Sequence, residues 1–372
     1  IDMTAAERSP SSRNPSITKR NLVLAVLSLI AVVAFFTNLN QSLSAFMVLV
    51  HVLPTYRDKV IVEGESSHQL RSSIPELLKV TNTDHWQVWD RQEPLHENLN
   101  LTCSWVDFRP ATGGQHVAAR PMCVVPQQEN DKWVSEDIRS KGRWWECDSI
   151  TSLILGQEQS HSSLLYVDIG ANIGSCVMQV ITTTNAMIVA FEPDPRNQFY
   201  LTSTLAKLSS DEKERIHLFP IALGQERGNS TIHVAKHNRG NAVVGHPVPD
   251  FPGQEFLSPM HIHIESLDDI IADNVMIDFL KMDAQGFECH ILRGMPRTLN
   301  RTKQIWYELE HLFLDAQENC SGAILWNMFE NAGFLQFHYP HRTASLKELP
   351  KGKSGITDTN FYASNPQLIH RK

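Results

Sequence analysis

The chain has 372 residues, 42% apolar and 20% charged, the proportions of an ordinary folded protein rather than a disordered or collagen-like one. Its net charge of -8 and pI near 6.1 leave no basic field to hold a phosphate backbone, which argues against nucleic acid as a general partner. The cysteines (Cys103, Cys123, Cys147, Cys176, Cys289, Cys320) contain no C-x-x-C pair for zinc, and they are too scattered to read as a disulfide scaffold.

In chain order, Arg8, Arg13, Lys19 and Arg20 precede a stretch, residues 21–55, without Lys, Arg, Asp or Glu, whose section Leu22 to Phe36 is almost wholly apolar. This pattern predicts a cytosolic tail over residues 1–20 and a transmembrane signal anchor over 21–43. The rest of the chain is then lumenal or extracellular, a type II arrangement. A cleaved signal peptide has the same basic and apolar regions and stands as the alternative. Sequons at Asn100, Asn229, Asn300 and Asn319 are compatible with that placement. Residues 44–98 read as a stem or linker. Residues 99–160 read as a cap, with Trp105, Trp133, Trp144 and Trp145 as core aromatics and Cys103 able to pair with Cys123 across the loop they bracket. Cys176 and Cys289 fall in predicted helices and read as small core residues.

Over residues 161–372, short apolar runs alternate with helical stretches, which predicts βαβ units and a doubly wound, mostly parallel sheet. Strands are expected at Leu164 to Asp168, Ile188 to Glu192, Ile216 to Phe219, Phe279 to Asp283 and Ile305 to Leu309, with Phe334 to His338 and Asn360 to Ala363 as the last two. Helices are expected near 173–183, 196–208, 286–293 and 323–332.

The segment LLYVDIGANIGS, residues 164–175, ends a strand on an acid and turns through Gly170 and Gly174 into a helix. Such a turn lets the backbone approach a ligand and offers the free N–H groups of a helix start. Asn172 stands where a dinucleotide fingerprint has its middle glycine, which weakens an NAD reading, and Asp168 suits an amino-acid moiety better than a pyrophosphate. Glu192 ends the next strand, where a carboxylate accepts from both hydroxyls of a ribose.

The blocks DIGANIG, AFEPDP, HLFPIALG, SLDDII, FLKMDAQGFECHILRG and IWYELE, in this order, resemble those of FkbM-type methyltransferases over residues 160–312. The resemblance implies a Rossmann-like methyltransferase fold with an antiparallel last strand and S-adenosyl-L-methionine as cofactor. It also implies O-methylation of a hydroxyl on a glycan or small molecule. Asp168, Gly170, Asn172 and Gly174 resemble the methionine-contacting loop, and Glu192 the ribose-binding acid. Lys281, Asp283, Gly286 and Glu288 stand in matching places of the fourth-strand block, whereas Gln285 replaces a carboxylate common in the family.

A hydroxyl acceptor profits from a general base, and Asp283, then Glu308 and His311, are the candidates by their places at strand ends. His261, His263 and Glu265 alternate on one strand face, as a metal site requires, but no further ligand is signalled and an exposed strand face is the expectation. The segment 236–245 reads as an acceptor-side loop or a surface hairpin. Two further readings share this architecture: an NAD-dependent oxidoreductase or epimerase, and a lumenal binding module without turnover.

Overall fold

The computed structural model describes residues 77–110, 117–155, 164–338, 342–343 and 360–369. All lie within one compact unit, Gln69–Lys372. The predicted anchor over 21–43 lies outside the described residues, among which no helix is long and apolar enough to cross a membrane. Residues 77–98, expected as the end of a stem, pack on the domain instead. Trp86 and Trp89 are buried, and Trp86 Nε1 donates to Glu265 at 3.0 Å.

A hairpin of β1 (Ser104–Phe108) and β2 (Arg120–Val124) opens the cap, followed by α1 (Val134–Lys141) and α2 (Trp145–Leu155). Then come β3 (Leu165–Ile169), α3 (Ser175–Thr183), β4 (Met187–Phe191), α4 (Pro195–Leu205) and β5 (Ile216–Phe219). Each of these strands lies within one or two residues of its expected position. A segment with little apolar patterning follows: β6 (Ala222–Leu223), β7 (Gly228–Ala235), β8 (Asn238–Val244) and β9 (Met260–Glu265). The chain returns through β10 (Phe279–Met282), α5 (Glu288–Arg293), β11 (Gln304–Glu308), α6 (Gly322–Asn331), β12 (Leu335–His338), β13 (Arg342–Thr343) and β14 (Asn360–Ser364).

The main sheet has the order β13-β12-β14-β11-β10-β3-β4-β5. Strands β5, β4, β3, β10 and β11 are parallel, and β14 runs antiparallel to both β11 and β12. Because helices cover both faces, the central strands bury every residue, which is why they read as continuous apolar runs. Tyr166, Ile188, Leu218, Phe279 and Trp306 face one core with α2, α3 and α4. Val167, Ile169, Phe191, Leu280 and Tyr307 face the other with α5 and α6.

Two features were not expected. The strands β6-β9-β7-β8 form a separate four-stranded sheet inserted between β5 and β10. Disulfides also join all the cysteines: Cys103–Cys123, the pair allowed by the sequence, and Cys147–Cys176 and Cys289–Cys320, which were not anticipated. The reading of Cys176 and Cys289 as plain core residues is thereby corrected; they are buried, but as bonded partners. The Cys147–Cys176 bond ties α2 of the cap to α3. Replacing both by alanine is expected to lower the unfolding free energy by about 2–4 kcal/mol, because the open chain regains loop entropy. Urea unfolding under oxidising conditions measures this, and an unchanged midpoint would remove the bond from the account of stability.

Candidate active site

The sheet reverses direction between β3 and β10, and ligands of open α/β sheets bind where such a reversal leaves a crevice. Gly170 stands at this point with φ 79°, and a Cβ built there would lie 1.9 Å from the carbonyl oxygen of Asp283. Only glycine lets the turn pass so close to the end of β10. Gly174 (φ 90°) leaves similar room for Leu201 of α4, whose Cδ1 would lie 2.1 Å from a Cβ. Between them Asn172 takes a left-handed conformation (φ 53°), and its Oδ1 accepts from the N–H of Ile173 at 2.7 Å. Asparagine tolerates this region through such local bonds, so the turn needs no middle glycine.

Glu192, 3% exposed, fastens this turn to the end of β4. Its Oε2 accepts from the Asn172 N–H at 2.6 Å and its Oε1 from the Asp194 N–H at 2.9 Å. Burial, then the neighbouring Asp194, push its carboxyl up to about 8 against the bonds it accepts. Each oxygen keeps a lone pair for a further donor.

Beside the turn lies a buried charge cluster built from four elements, β3, β10, α2 and β11. Lys281 Nζ on β10 is 3.7 Å from Asp168 Oδ1, 3.3 Å from Asp283 Oδ2, and donates to the Gly170 carbonyl at 3.2 Å. Burial pulls the ammonium pKa down, but Asp283, Asp168 and Glu146 together outweigh it and leave it above its ordinary value. From α2, Glu146 accepts from Trp306 Nε1 at 2.7 Å and from Trp144 Nε1 at 3.2 Å. Burial raises the pKa of both Glu146 and Asp168, and Lys281 opposes it. Glu308, at the end of β11, is pushed well above the carboxylate range by burial and then by Asp283, Glu288, Glu146 and Glu310.

The cleft over these groups has two parts, which share Gly170, Asn172, Gly240, Asp283 and Gln285. One, about 50 Å³, runs along Phe191, Glu192, Asn197, Ile221 and Phe287. The other, about 280 Å³, is walled by Trp133, Trp144, Trp145, Glu146, Glu308 and Glu310. The 236–245 segment, now the β7–β8 hairpin and strand β8, brings Asn238, Arg239 and Gly240 to this cleft.

Gly170, Asn172, Glu192, Asp283 and Glu308 therefore meet at one cleft. Asp168 lies beneath it, wholly buried against Lys281, and Gly174 behind it at the start of α3. His311 does not line the cleft. Its ring packs against Gly322, at the start of α6, so its candidacy as a base is withdrawn on position. The expectation of core tryptophans is also corrected: Trp133 is 63% and Trp145 47% exposed on the cleft wall, and Trp105 is exposed elsewhere. Sequence reading passed over Glu146, which no local signal separates from Asp148 two residues later in the same helix. Glu265 is taken by Trp86 and Arg227, and His263 hydrogen-bonds Asn229 at 2.6 Å. Among the described residues no group of three or more His, Cys, Asp or Glu is placed to hold a metal.

A parallel sheet with an antiparallel strand inserted next to last, a glycine turn at its reversal point and an acid on the neighbouring strand define a nucleotide-cofactor α/β domain. Residues 168–335 match the family model described as the Methyltransferase FkbM domain. It is 27% identical over 154 residues to the 2-O-methyltransferase NoeI of Sinorhizobium fredii (strain NBRC 101917 / NGR234), across 38% of this chain and 61% of that protein. The chain thus spans about three-fifths of the length of this curated relative. Among solved structures, the precorrin-6y C5,15-methyltransferase of Geobacter metallireducens GS-15 is 15% identical with TM-score 0.31, covering 58% of this chain and 89% of its own. The glycopeptide N-methyltransferase MtfA complexed with S-adenosyl-L-methionine is 9% identical with TM-score 0.30, over 58% and 92%. Scores this low carry no fold argument, which rests on strand order.

Proposed function

We propose that this chain is an S-adenosylmethionine-dependent O-methyltransferase acting on a hydroxyl of a glycan or small molecule. The observation that carries the reading is the shared cleft, in which the Gly170 turn and Glu192 open onto the same space as Asp283 and Glu308. The residues fit the cofactor: a Cβ at 170 is sterically barred, and a buried carboxylate with remaining lone pairs stands where ribose hydroxyls need an acceptor. Gly170, Asn172, Glu192 and Asn197 would hold it, with Phe191, Ile221 and Phe287 beside its apolar part. When bound, it supplies an electrophilic methyl group on a sulfonium. The chain's own share is orientation, exclusion of water and removal of the acceptor proton by Asp283. The rhizobial relative is a 2-O-methyltransferase by name, which supports oxygen as the acceptor atom.

The tryptophan-walled part suits a sugar ring, whose C–H face packs on an aromatic and whose hydroxyls donate to Glu308 and Glu310. Trp133→Ala and Trp145→Ala are each expected to raise the acceptor KM five- to tenfold, from about 1 kcal/mol of stacking, without changing cofactor affinity. Steady-state kinetics on an unmethylated glycan pool reads this, and an unchanged KM moves the acceptor elsewhere. Calorimetric titration with S-adenosylmethionine and NAD tests the reading as a whole. Binding of NAD alone would overturn it.

Disulfides joining every cysteine support an oxidising compartment, lumenal or extracellular. The sequon asparagines Asn100, Asn229, Asn300 and Asn319 are all exposed, as glycan attachment requires. The apolar stretch 22–36 is the sequence's own argument for membrane attachment. A glycosidase mobility shift and carbonate extraction from cells test the two points, and a chain without glycans in the soluble cytosol would refute both.

A further inference from the structure

Gln285 lies between the two acids of the cleft. Its Nε2 donates to Asp283 Oδ1 at 2.9 Å and to Glu308 Oε2 at 2.6 Å. A primary amide nitrogen carries two hydrogens, and both are spent on these carboxyls. The backbone at Gln285 is left-handed (φ 48°), a conformation uncommon outside glycine and asparagine, so the bridge is held at a conformational cost.

The geometry points to Gln285 as a positioning residue that binds Asp283 and Glu308 into one unit, with Asp283 as the proton acceptor and Glu308 as a neutral acid donating its O–H toward the acceptor oxygen. This rests on the methyl-transfer reading and adds to it a division of labour between the two acids.

The surroundings assign the roles. Asp283 has the cation: Lys281 lies 3.3 Å from its Oδ2, which favours the carboxylate. Glu308 faces Asp283 from the turn after β10, Glu288 from α5, Glu146 from α2 and Glu310 from its own segment, and no hydrogen-bonded cation balances them. Desolvation and like charge both favour its protonated form. With Oε2 taken by the amide, the proton resides on Oε1. When the acceptor reacts, its hydroxyl proton passes to Asp283 as the oxygen forms its bond to the transferred methyl, and the sulfonium sulfur keeps the electron pair of the bond that breaks. Glu308 keeps its proton throughout.

A carboxylate at 285 would repel Asp283 and has no N–H to donate to Glu308, which explains why an amide serves here. A conventional loss of activity on substitution would not separate this role from a structural one, so the test uses two variants and two readouts. Gln285→Asn keeps an amide and tolerates the left-handed backbone but is one methylene too short to reach both carboxyls. It is expected to lower kcat about 100-fold at every pH, with the cofactor dissociation constant unchanged. Gln285→Glu, while protonated, has a single O–H and keeps the bond to Asp283 with its carbonyl oxygen facing Glu308, whereas ionised it donates to neither. Its activity should therefore survive at low pH and be lost on raising pH well before that of the wild type. Superimposable pH profiles for Gln285→Glu and wild type would overturn the proposal.

The second readout needs no turnover. An infrared difference spectrum of wild type against Glu308→Gln near neutral pH should show the loss of one protonated carboxyl band. Absence of that band means Glu308 is ionised and the division of roles is wrong. Failure to bind S-adenosylmethionine would sink the methyl-transfer reading separately, since the infrared result does not depend on it.

Discussion

Glu192→Ala is expected to weaken S-adenosylmethionine binding at least about 100-fold. Two charge-assisted hydrogen bonds from ribose hydroxyls, at about 1.5–3 kcal/mol each, are lost with the carboxylate. The substitution also strips the N–H groups of Asn172 and Asp194 of their acceptor, so the glycine turn loses its tie to β4. Each unpaired buried donor costs about 1–3 kcal/mol, and the unfolding midpoint should fall accordingly. Calorimetry and denaturant unfolding separate the two effects, and an unchanged dissociation constant in a folded variant would remove Glu192 from the cofactor site.

The same carboxyl makes binding pH-dependent. Burial raises it from the ordinary 4.5 to about 8, so the folded apo domain holds a proton that the unfolded chain has released across this interval. Its contribution to stability is therefore present in acid and is lost as pH rises toward 8. Ribose hydroxyls donate to the ionised form, so cofactor binding releases that proton. Affinity should rise by up to about tenfold per pH unit on approach to pH 8 and then level off. A flat profile between pH 5 and 8 would show that the carboxyl does not change ionisation on binding.

Asp283→Asn is the second large effect. Asparagine has the same shape, and the Asp283 main-chain carbonyl that packs on Gly170 is untouched, so the fold and cofactor binding should persist. The side chain can no longer accept a proton, and kcat should fall by about 10²–10⁴. Single-turnover measurements with saturating cofactor check this; a loss under threefold would mean that proximity alone drives the transfer.

Much of the domain was legible along the chain. The strands β3, β4, β5, β10 and β11 announce themselves because helices cover both sides of them and most of their residues are apolar, with Asp168 and Lys281 paired to each other as buried exceptions. The inserted sheet was not legible: β7 and β8 mix polar and apolar residues, slip register at Val234/Ala235 and bury Arg239, so neither has a clean period of two. The cap misled for another reason. Tryptophan composition suggests a core, yet whether Trp133 and Trp145 are covered depends on what packs opposite them, and there the structure leaves a cleft. Cysteine pairing failed likewise, since Cys147 with Cys176 and Cys289 with Cys320 are separated by 29 and 31 residues and only packing brings them together.

The sequence by itself determined the cofactor turn. From Asp168 to Glu192 one strand–turn–helix–strand unit sets the glycines, the left-handed asparagine and the terminal acid at a recognisable spacing, and Glu192 ties back to Asn172 within it, although the close contacts that require glycine at 170 and 174 come from Asp283 and Leu201 outside it. Only the tertiary structure decided the chemistry beside it. Glu146 reaches Trp306 across 160 residues, and Gln285 reaches Glu308 across 23. Which carboxyl keeps its proton then follows from burial and from where the single ammonium of Lys281 lies. Those are properties of a packed assembly of elements, and no local spacing encodes them.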